Sequence, residues 1–417
     1  FDNPHIKLNS ILIVGAGGVG SVAAHKCAQL PEIFHEIHLA SRTHSKCKII
    51  ASSVLQRTGE EVSTYRMNAD DLDETVQLLR TVRPDLLLNL ALPYQNLTLM
   101  EACLATGTNY LDTANYESPE VARFEYKWQW RYHQRFQEQN LCALLGSGFD
   151  PGVTNVFTAF SAKHHFDEIL ELDIVDVNGG ENNESFATNF NPEINIREVS
   201  AKCRHWEGGK FVESPPFSTH RPFSCPGDEP DHEIYRMYHE ELESLTLKYP
   251  SLRKAQFWMS FSPSYLRSLE VLQNVGMTSI RPIEFRGRSI VPLQFLTSLL
   301  PDPASLGEST TGKTCIGCII RGTKGGQFRS IYVYNSCSHD RSFEETGSQA
   351  VSYTTGVPAM IGAKLMLQKK WFEPGVWNME HFNPDPFMKD LDSFGLPWTI
   401  EETDPFLLED FAEGAIC

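Results

Sequence analysis

Gly15-Ala16-Gly17-Gly18-Val19-Gly20 lies between an apolar run, Ile11-Leu12-Ile13-Val14, and the helix-like Ser21-Val22-Ala23-Ala24-His25-Lys26-Cys27. Glycines in that order offer a way to hold a diphosphate. The first permits a tight turn, the second removes the Cβ that would keep backbone N–H groups from a pyrophosphate, and the third lets the helix close on the strand. The positive end of the helix then faces the anion. At the end of the next strand, Glu36-Ile37-His38-Leu39-Ala40, an NAD-selective chain carries Asp or Glu for the ribose 2′-hydroxyl, but here the residues are Ser41-Arg42-Thr43, with Lys46 one helical turn on. Hydroxyls and a guanidinium neutralise a 2′-phosphate that a carboxylate would repel, so the expected cofactor is NADP(H).

These residues need a scaffold, and the chain supplies one. From Ser10 to Leu145, apolar strands near residues 11–14, 37–40, 62–66, 85–90, 108–111 and 141–145 alternate with helical patterns. Such alternation gives an α/β fold, a Rossmann-type parallel sheet with helices on both faces, expected over residues 1–150. Residues just past the strand ends face the ligand crevice of an open sheet. Ala91, Leu92, Pro93 and Tyr94 after the fourth strand, and Asp112 after the fifth, are therefore expected on the nicotinamide side, with Asp70 near the adenine. Gly146-Ser147-Gly148-Phe149-Asp150-Pro151-Gly152 makes a sharp turn out of the sixth strand.

Beyond it the texture changes. A helix over 153–165 is followed by strand candidates Ile169–Val177, Glu193–Val199, Gly208–Val212, Ile316–Ile320 and Ser330–Tyr334, with a more helical middle over 231–275. This reads as an inserted α+β domain over residues 151–347. Residues 348–417 read as a helix with Pro358 in its first turn, returning to the nucleotide domain, and a surface-draped tail whose last ten residues are poorly ordered.

With 417 residues the chain can bury two or three cores. Its 53 acidic and 36 basic residues leave a formal charge of −17, which argues against nucleic acid or an anionic membrane as partner. No apolar run approaches the roughly 18 residues of a spanning helix. The start does not resemble a signal peptide, and ten scattered cysteines read as reduced thiols in a cytoplasm. The chain opens on Phe1, so its first residues are left out of fold reasoning. The aromatic stretch 124–132 reads as core or subunit interface.

Taken together, Gly15–Gly20, Ala40-Ser41-Arg42-Thr43, Asn89-Leu90-Ala91-Leu92-Pro93-Tyr94-Gln95, Tyr110-Leu111-Asp112-Thr113-Ala114-Asn115-Tyr116, the 146–155 turn, the 186–198 block and Ser352-Tyr353-Thr354-Thr355-Gly356-Val357-Pro358-Ala359 carry a resemblance. The chain is similar, almost end to end, to the saccharopine dehydrogenase superfamily and, within it, to the carboxynorspermidine synthase family. Asn191-Pro192-Glu193-Ile194-Asn195-Ile196-Arg197 is the block that points to this polyamine branch. The resemblance implies that a primary amine, 1,3-diaminopropane or putrescine, condenses with L-aspartate β-semialdehyde and that NADPH reduces the imine. It also implies a homodimer formed through the second domain.

Such a reaction needs acid/base groups and an iminium held in place. Asp150 is the expected carboxylate for a substrate ammonium or the iminium charge; an Asx-type turn bond beside Pro151 is the alternative. Arg197 offers a bidentate cation for the substrate carboxylate, or else makes a surface salt bridge. His339 is the candidate for proton transfer, with Tyr116 and Asp112 completing the pocket. Tyr94, Asn191, Asn195 and Thr355 are expected to line the substrate side. Cys315 and Cys318 have zinc-like spacing, but positions three apart on a strand face opposite ways, so no metal is expected. Two other readings stay open: a saccharopine-type amino-acid dehydrogenase, and an NADP-binding regulator without catalysis.

Overall fold

The computed structural model describes residues 9–227 and 231–403. The opening residues and the C-terminal ten expected to be poorly ordered lie outside the described residues. Six strands, β1 (Ser10–Val14), β2 (Glu36–Ser41), β3 (Val62–Arg66), β4 (Leu86–Asn89), β5 (Asn109–Asp112) and β6 (Cys142–Leu145), alternate with helices as the apolar runs require. With Gly375–Asn378 at one edge they form a parallel sheet in the order 375–378, β6, β5, β4, β1, β2, β3. β1 shows why both faces must be covered. Ile11 and Ile13 enter one core, Leu12 and Val14 the other, and all are almost wholly buried. Strand order reverses between β4 and β1, which opens a crevice at their carboxyl ends.

The second sheet is mixed. Its path runs 220–223, 232–237, 254–260, β7 (Glu168–Val177), 313–324, 327–338, 398–402, and the hairpin 203–207/210–214 branches from 254–260. Only β7 with 254–260 is parallel; the other pairings are antiparallel. Cys315 and Cys318 fall into different apolar cores on the two faces of this sheet.

Several expectations are corrected. Glu193–Val199 is not a strand but most of the helix Pro192–Ser200: Asn191 accepts hydrogen bonds from the Glu193 and Ile194 N–H groups and Pro192 occupies the first turn, a set of helix-start signals that outweighs the β-branched residues. The 231–275 stretch divides between strands 232–237 and 254–260 and helices Glu241–Lys248 and Pro263–Asn274. Pro358 lies mid-helix, because the helix runs Ala350–Leu367. An interior proline costs about 3 kcal/mol. Burial of nearly the whole helix offsets it, and Gly356 is so close to α1 (Gly18–Ala28) that a Cβ there would come within 2.6 Å of Val22. Nor does the tail drape. Trp371 is fully buried, Gly375–Asn378 joins the first sheet and Trp398–Glu402 the second. Among the described residues no helix is long and apolar enough to cross a membrane.

Candidate active site

A crevice of about 490 Å³ runs from the β1 and β4 strand ends to the carboxyl end of β7. Its two ends differ in chemistry. At the first, Gly15, Gly17, Gly18 and Val19 form the wall. Gly15 has φ of 118°, and a Cβ on it would fall 2.4 Å from the Leu90 carbonyl oxygen. A Cβ on Gly17 would meet nothing within 4 Å, so the space above the α1 N-terminus is open. No side chain caps that terminus, which leaves its first N–H groups available to an anion. Gly20 is not in the wall. It closes the turn beneath it, where a Cβ would lie 2.0 Å from the Gly15 oxygen.

Ser41, Arg42, Thr43 and Lys46 line the same end. Arg42 is 62% exposed and rests 3.8 Å from Asp70, while Lys46 pairs with Asp302 at 2.6 Å. Ion pairs this exposed contribute little, so both cations can re-pair with a phosphate at small cost. Open glycines, a bare helix terminus and two basic side chains, with Ser41 and not a carboxylate at the end of β2, fit an NADP(H) cradle.

At the other end Asp150, Asp176, Glu198, His239 and Glu240 converge from four places: the turn after β6, the end of β7, the helix Pro192–Ser200, and the loop between strand 232–237 and helix Glu241–Lys248. Burial drives their protonation. It pushes Asp150 well above the usual carboxylate range, with the Asp176 charge adding to the effect, and the two carboxyls are hydrogen-bonded. Asp176 rises to about 6 and Glu198 to about 8, both mainly by desolvation. For His239 burial would lower the pKa, but Glu241, Glu240 and Glu198 more than reverse that and keep the ring protonated. Nδ1 hydrogen-bonds Glu241, Nε2 lies 3.3 Å from Glu198 Oε1, and the ring stacks on Phe257. The result is a buried chamber with several carboxyls, one imidazolium and a proton shared between Asp150 and Asp176. It suits a cation and can deliver a proton.

Residues 11–144 match the saccharopine dehydrogenase NADP binding domain, and residues 148–396 the saccharopine dehydrogenase C-terminal domain. The chain belongs to the saccharopine dehydrogenase family. A curated relative, carboxyaminopropylagmatine dehydrogenase of Synechocystis, is 54% identical over 402 residues, 96% of this chain and 99% of its own. Carboxynorspermidine synthase of Vibrio alginolyticus is 40% identical over 95% of this chain and 98% of its own, and that of Vibrio cholerae 38% identical over 95% and 98%. Among solved structures, apo saccharopine dehydrogenase (L-Glu forming) from Saccharomyces cerevisiae superposes with a TM-score of 0.70 at 13% identity, covering 95% of this chain and 100% of that one. At that identity the likeness speaks for the fold alone. With the family and the cradle agreeing, the cofactor is NADP(H) and the protein is an NADP(H)-dependent oxidoreductase.

Within this family member, the crevice collects Ala91, Leu92, Pro93, Asp150, Asn191 and Thr355 as expected from the sequence. Others sit elsewhere. Arg197 is corrected: its side chain is 1% exposed and outside the crevice wall, with Nε donating to Glu117 and the terminal nitrogens to the Pro119 and Ser118 carbonyls, so it forms a buried structural ion pair and is not a cation facing the substrate. His339 is corrected too. Nδ1 accepts from the Ala350 N–H and Nε2 donates to the Gly179 carbonyl, so this fully buried, neutral ring ties the second sheet to the helix Ala350–Leu367.

Asp112 lies beneath the wall. It accepts from Gly146 N–H, Gln129 and Tyr110, and organises the strand ends instead of touching cofactor. Asp70 is the partner of Arg42, while Met67 and Ala69 line the crevice. Tyr94 donates to Glu193, Asn195 accepts from Tyr265, and Tyr116 packs edge-on to Trp128, all outside the crevice wall. Sequence reasoning missed Asp176, Glu198, His239 and Glu240. One signal was available: Asp173 and Asp176 interrupt the otherwise apolar Ile174-Val175-Val177 end of a strand, and a carboxylate in such a strand is buried for a reason. His239 and Glu198 carry no comparable local mark.

Proposed function

We propose that this enzyme joins L-aspartate β-semialdehyde to the primary amine of 1,3-diaminopropane or putrescine and reduces the imine with NADPH, forming carboxynorspermidine or carboxyspermidine in polyamine biosynthesis. The observation that carries the reading is a single crevice with an NADP(H) cradle at one end and a buried, carboxyl-rich chamber at the other. A chamber whose carboxyls outnumber its one imidazolium favours a cationic amine, because an arriving positive charge stabilises their ionised forms.

The bound cofactor supplies a hydride to the imine carbon. The chain's own residues do the rest. Attack of the neutral amine on the aldehyde gives a carbinolamine, and the proton held between Asp150 and Asp176 goes to its hydroxyl, which leaves as water. The carboxylates left behind stabilise the iminium charge. His239, already protonated, cannot act as a base and serves as a fixed cation at the chamber wall. Ala91, Leu92, Pro93 and Thr355 orient the reacting groups and exclude water from the space between them.

A second acceptor has a specific observation behind it. The 54% identical relative is named for carboxyaminopropylagmatine, so agmatine, with a guanidinium in place of the distal ammonium, belongs in the same assay. NADPH oxidation by the purified chain with L-aspartate β-semialdehyde and each of the three amines tests the proposal. NADP+ reduction by saccharopine, or NADPH binding with no turnover on any pair, sinks it.

A further inference from the structure

Two carboxyl oxygens of the chamber have no conventional hydrogen-bond donor among the described residues: Asp176 Oδ1, whose carboxyl is paired with that of Asp150, and Glu198 Oε1, whose carboxyl has no such pairing. The cation near Glu198 Oε1, His239 Nε2, is 3.3 Å away and out of line for a hydrogen bond. The Glu198 side chain is 9% exposed, and it lines the crevice. A buried oxygen without a partner is costly unless something else occupies the place. The other chamber carboxyls are engaged: Asp176 with Asp150 and Asn178, Glu240 with the Asn115 N–H, Glu241 with His239 and Thr154. Ile194, Met259 and Ile316 line the same part of the crevice and suit methylenes.

We propose that Glu198 Oε1 receives the distal cation of the amine substrate, so that this residue selects α,ω-dications over monoamines. The inference rests on the amine–aldehyde reading and adds to it the residue that sets amine specificity. An incoming ammonium or guanidinium completes the Oε1 bonding with a charge-assisted hydrogen bond while the alkyl chain lies along Ile194, Met259 and Ile316. A monoamine of equal length fills the apolar stretch and leaves Oε1 bare. Burial pushes the Glu198 carboxyl up to about 8, so an arriving cation also favours its ionised form.

The test compares putrescine with butylamine, and 1,3-diaminopropane with propylamine, in wild type, Glu198→Gln and Glu198→Asp. In Glu198→Gln the diamine-to-monoamine ratio of kcat/KM falls at least about tenfold, chiefly through KM of the diamine, and Glu198→Asp recovers part of it. An unchanged ratio, with both amines losing alike, overturns the proposal and makes Glu198 a support for His239. Calorimetric titration of the NADP+-loaded protein with each diamine separates this failure from failure of the reaction assignment. If wild type turns over no amine–aldehyde pair yet binds the diamine at least about tenfold more tightly than Glu198→Gln does, the subsite stands and the reaction falls. Equal binding by both proteins removes the subsite.

Discussion

The two ends of the crevice are built in opposite ways. At the cofactor end the ligand groups come from two short segments, 15–19 and 41–46, and its cations sit at the surface in weak pairs with Asp70 and Asp302. At the carboxyl-rich end the groups come from four distant segments and are buried, so desolvation is the largest influence on their protonation. An exposed charged site can be screened and re-paired at little cost. A buried one holds its charge state only while the surrounding elements stay in place. Substitutions at the first end should therefore act on affinity alone, and those at the second on chemistry, charge balance and folding together.

The largest effect that can break this contrast is at the carboxyl pair. Asp150→Asn removes the shared proton, so kcat should fall by roughly 10²–10⁴ with the NADPH dissociation constant unchanged in fluorescence titration. A parallel loss of NADPH binding would mean the two ends are not separable.

Next in size is Arg197, which belongs to neither end. Arg197→Ala leaves Glu117 buried without its partner and should cost about 3–5 kcal/mol in denaturant unfolding, nearer the lower figure because Glu117 can take up a proton. The folded variant should keep its KM for the aldehyde. A raised KM with unchanged stability would return the carboxylate role to this residue.

A smaller effect is expected at the exposed end. Arg42→Ala should weaken NADPH at least about tenfold relative to NADH, the value of one charged contact to the 2′-phosphate. High salt should shrink that difference, as it should not for Asp150→Asn.

The most gradual effect, at most about 1.4 kcal/mol for each pH unit, concerns Asp112, under the crevice. Burial pushes its carboxyl up to about 7, against the pull of the Gly146, Gln129 and Tyr110 hydrogen bonds. The folded protein then keeps a proton that the unfolded chain releases near pH 4, so this group's stabilisation is full below about pH 4 and is lost as pH rises through about 7. The unfolding free energy of Asp112→Asn, read from denaturant titrations, should decline less than that of wild type across that window, the slopes differing by at most one proton's worth, about 1.4 kcal/mol per pH unit. Equal slopes would show that Asp112 is already ionised in the fold.

What could be read from the chain alone follows the same division. The β1–α1 glycine turn, the Ser41-Arg42-Thr43 strand end and the six alternating strands are local patterns, and each names its own structure within about ten residues. Glu193–Val199 shows the limit of such reading: its β-branched residues suggest a strand, while the adjoining Asn191 and Pro192 start a helix. Arg197, in the helix Pro192–Ser200, and His339, at the first position of another helix, look chemically promising, and nothing in their neighbours reveals that Glu117, 80 positions away, and Ala350 and Gly179, up to 160 positions away, take up their bonds.

The sequence by itself determined the nucleotide fold and its NADP(H) preference, because glycine turns, strand ends and their flanking charges act through backbone geometry and contacts close in the chain. Only the tertiary structure assembled the carboxyl-rich end of the crevice. Asp150, Asp176, Glu198 and His239 become a site through the packing of the second sheet against the first, and their proton occupancy depends on the water excluded by that packing. Burial and charge repulsion between residues tens of positions apart leave no periodicity in the chain to be read.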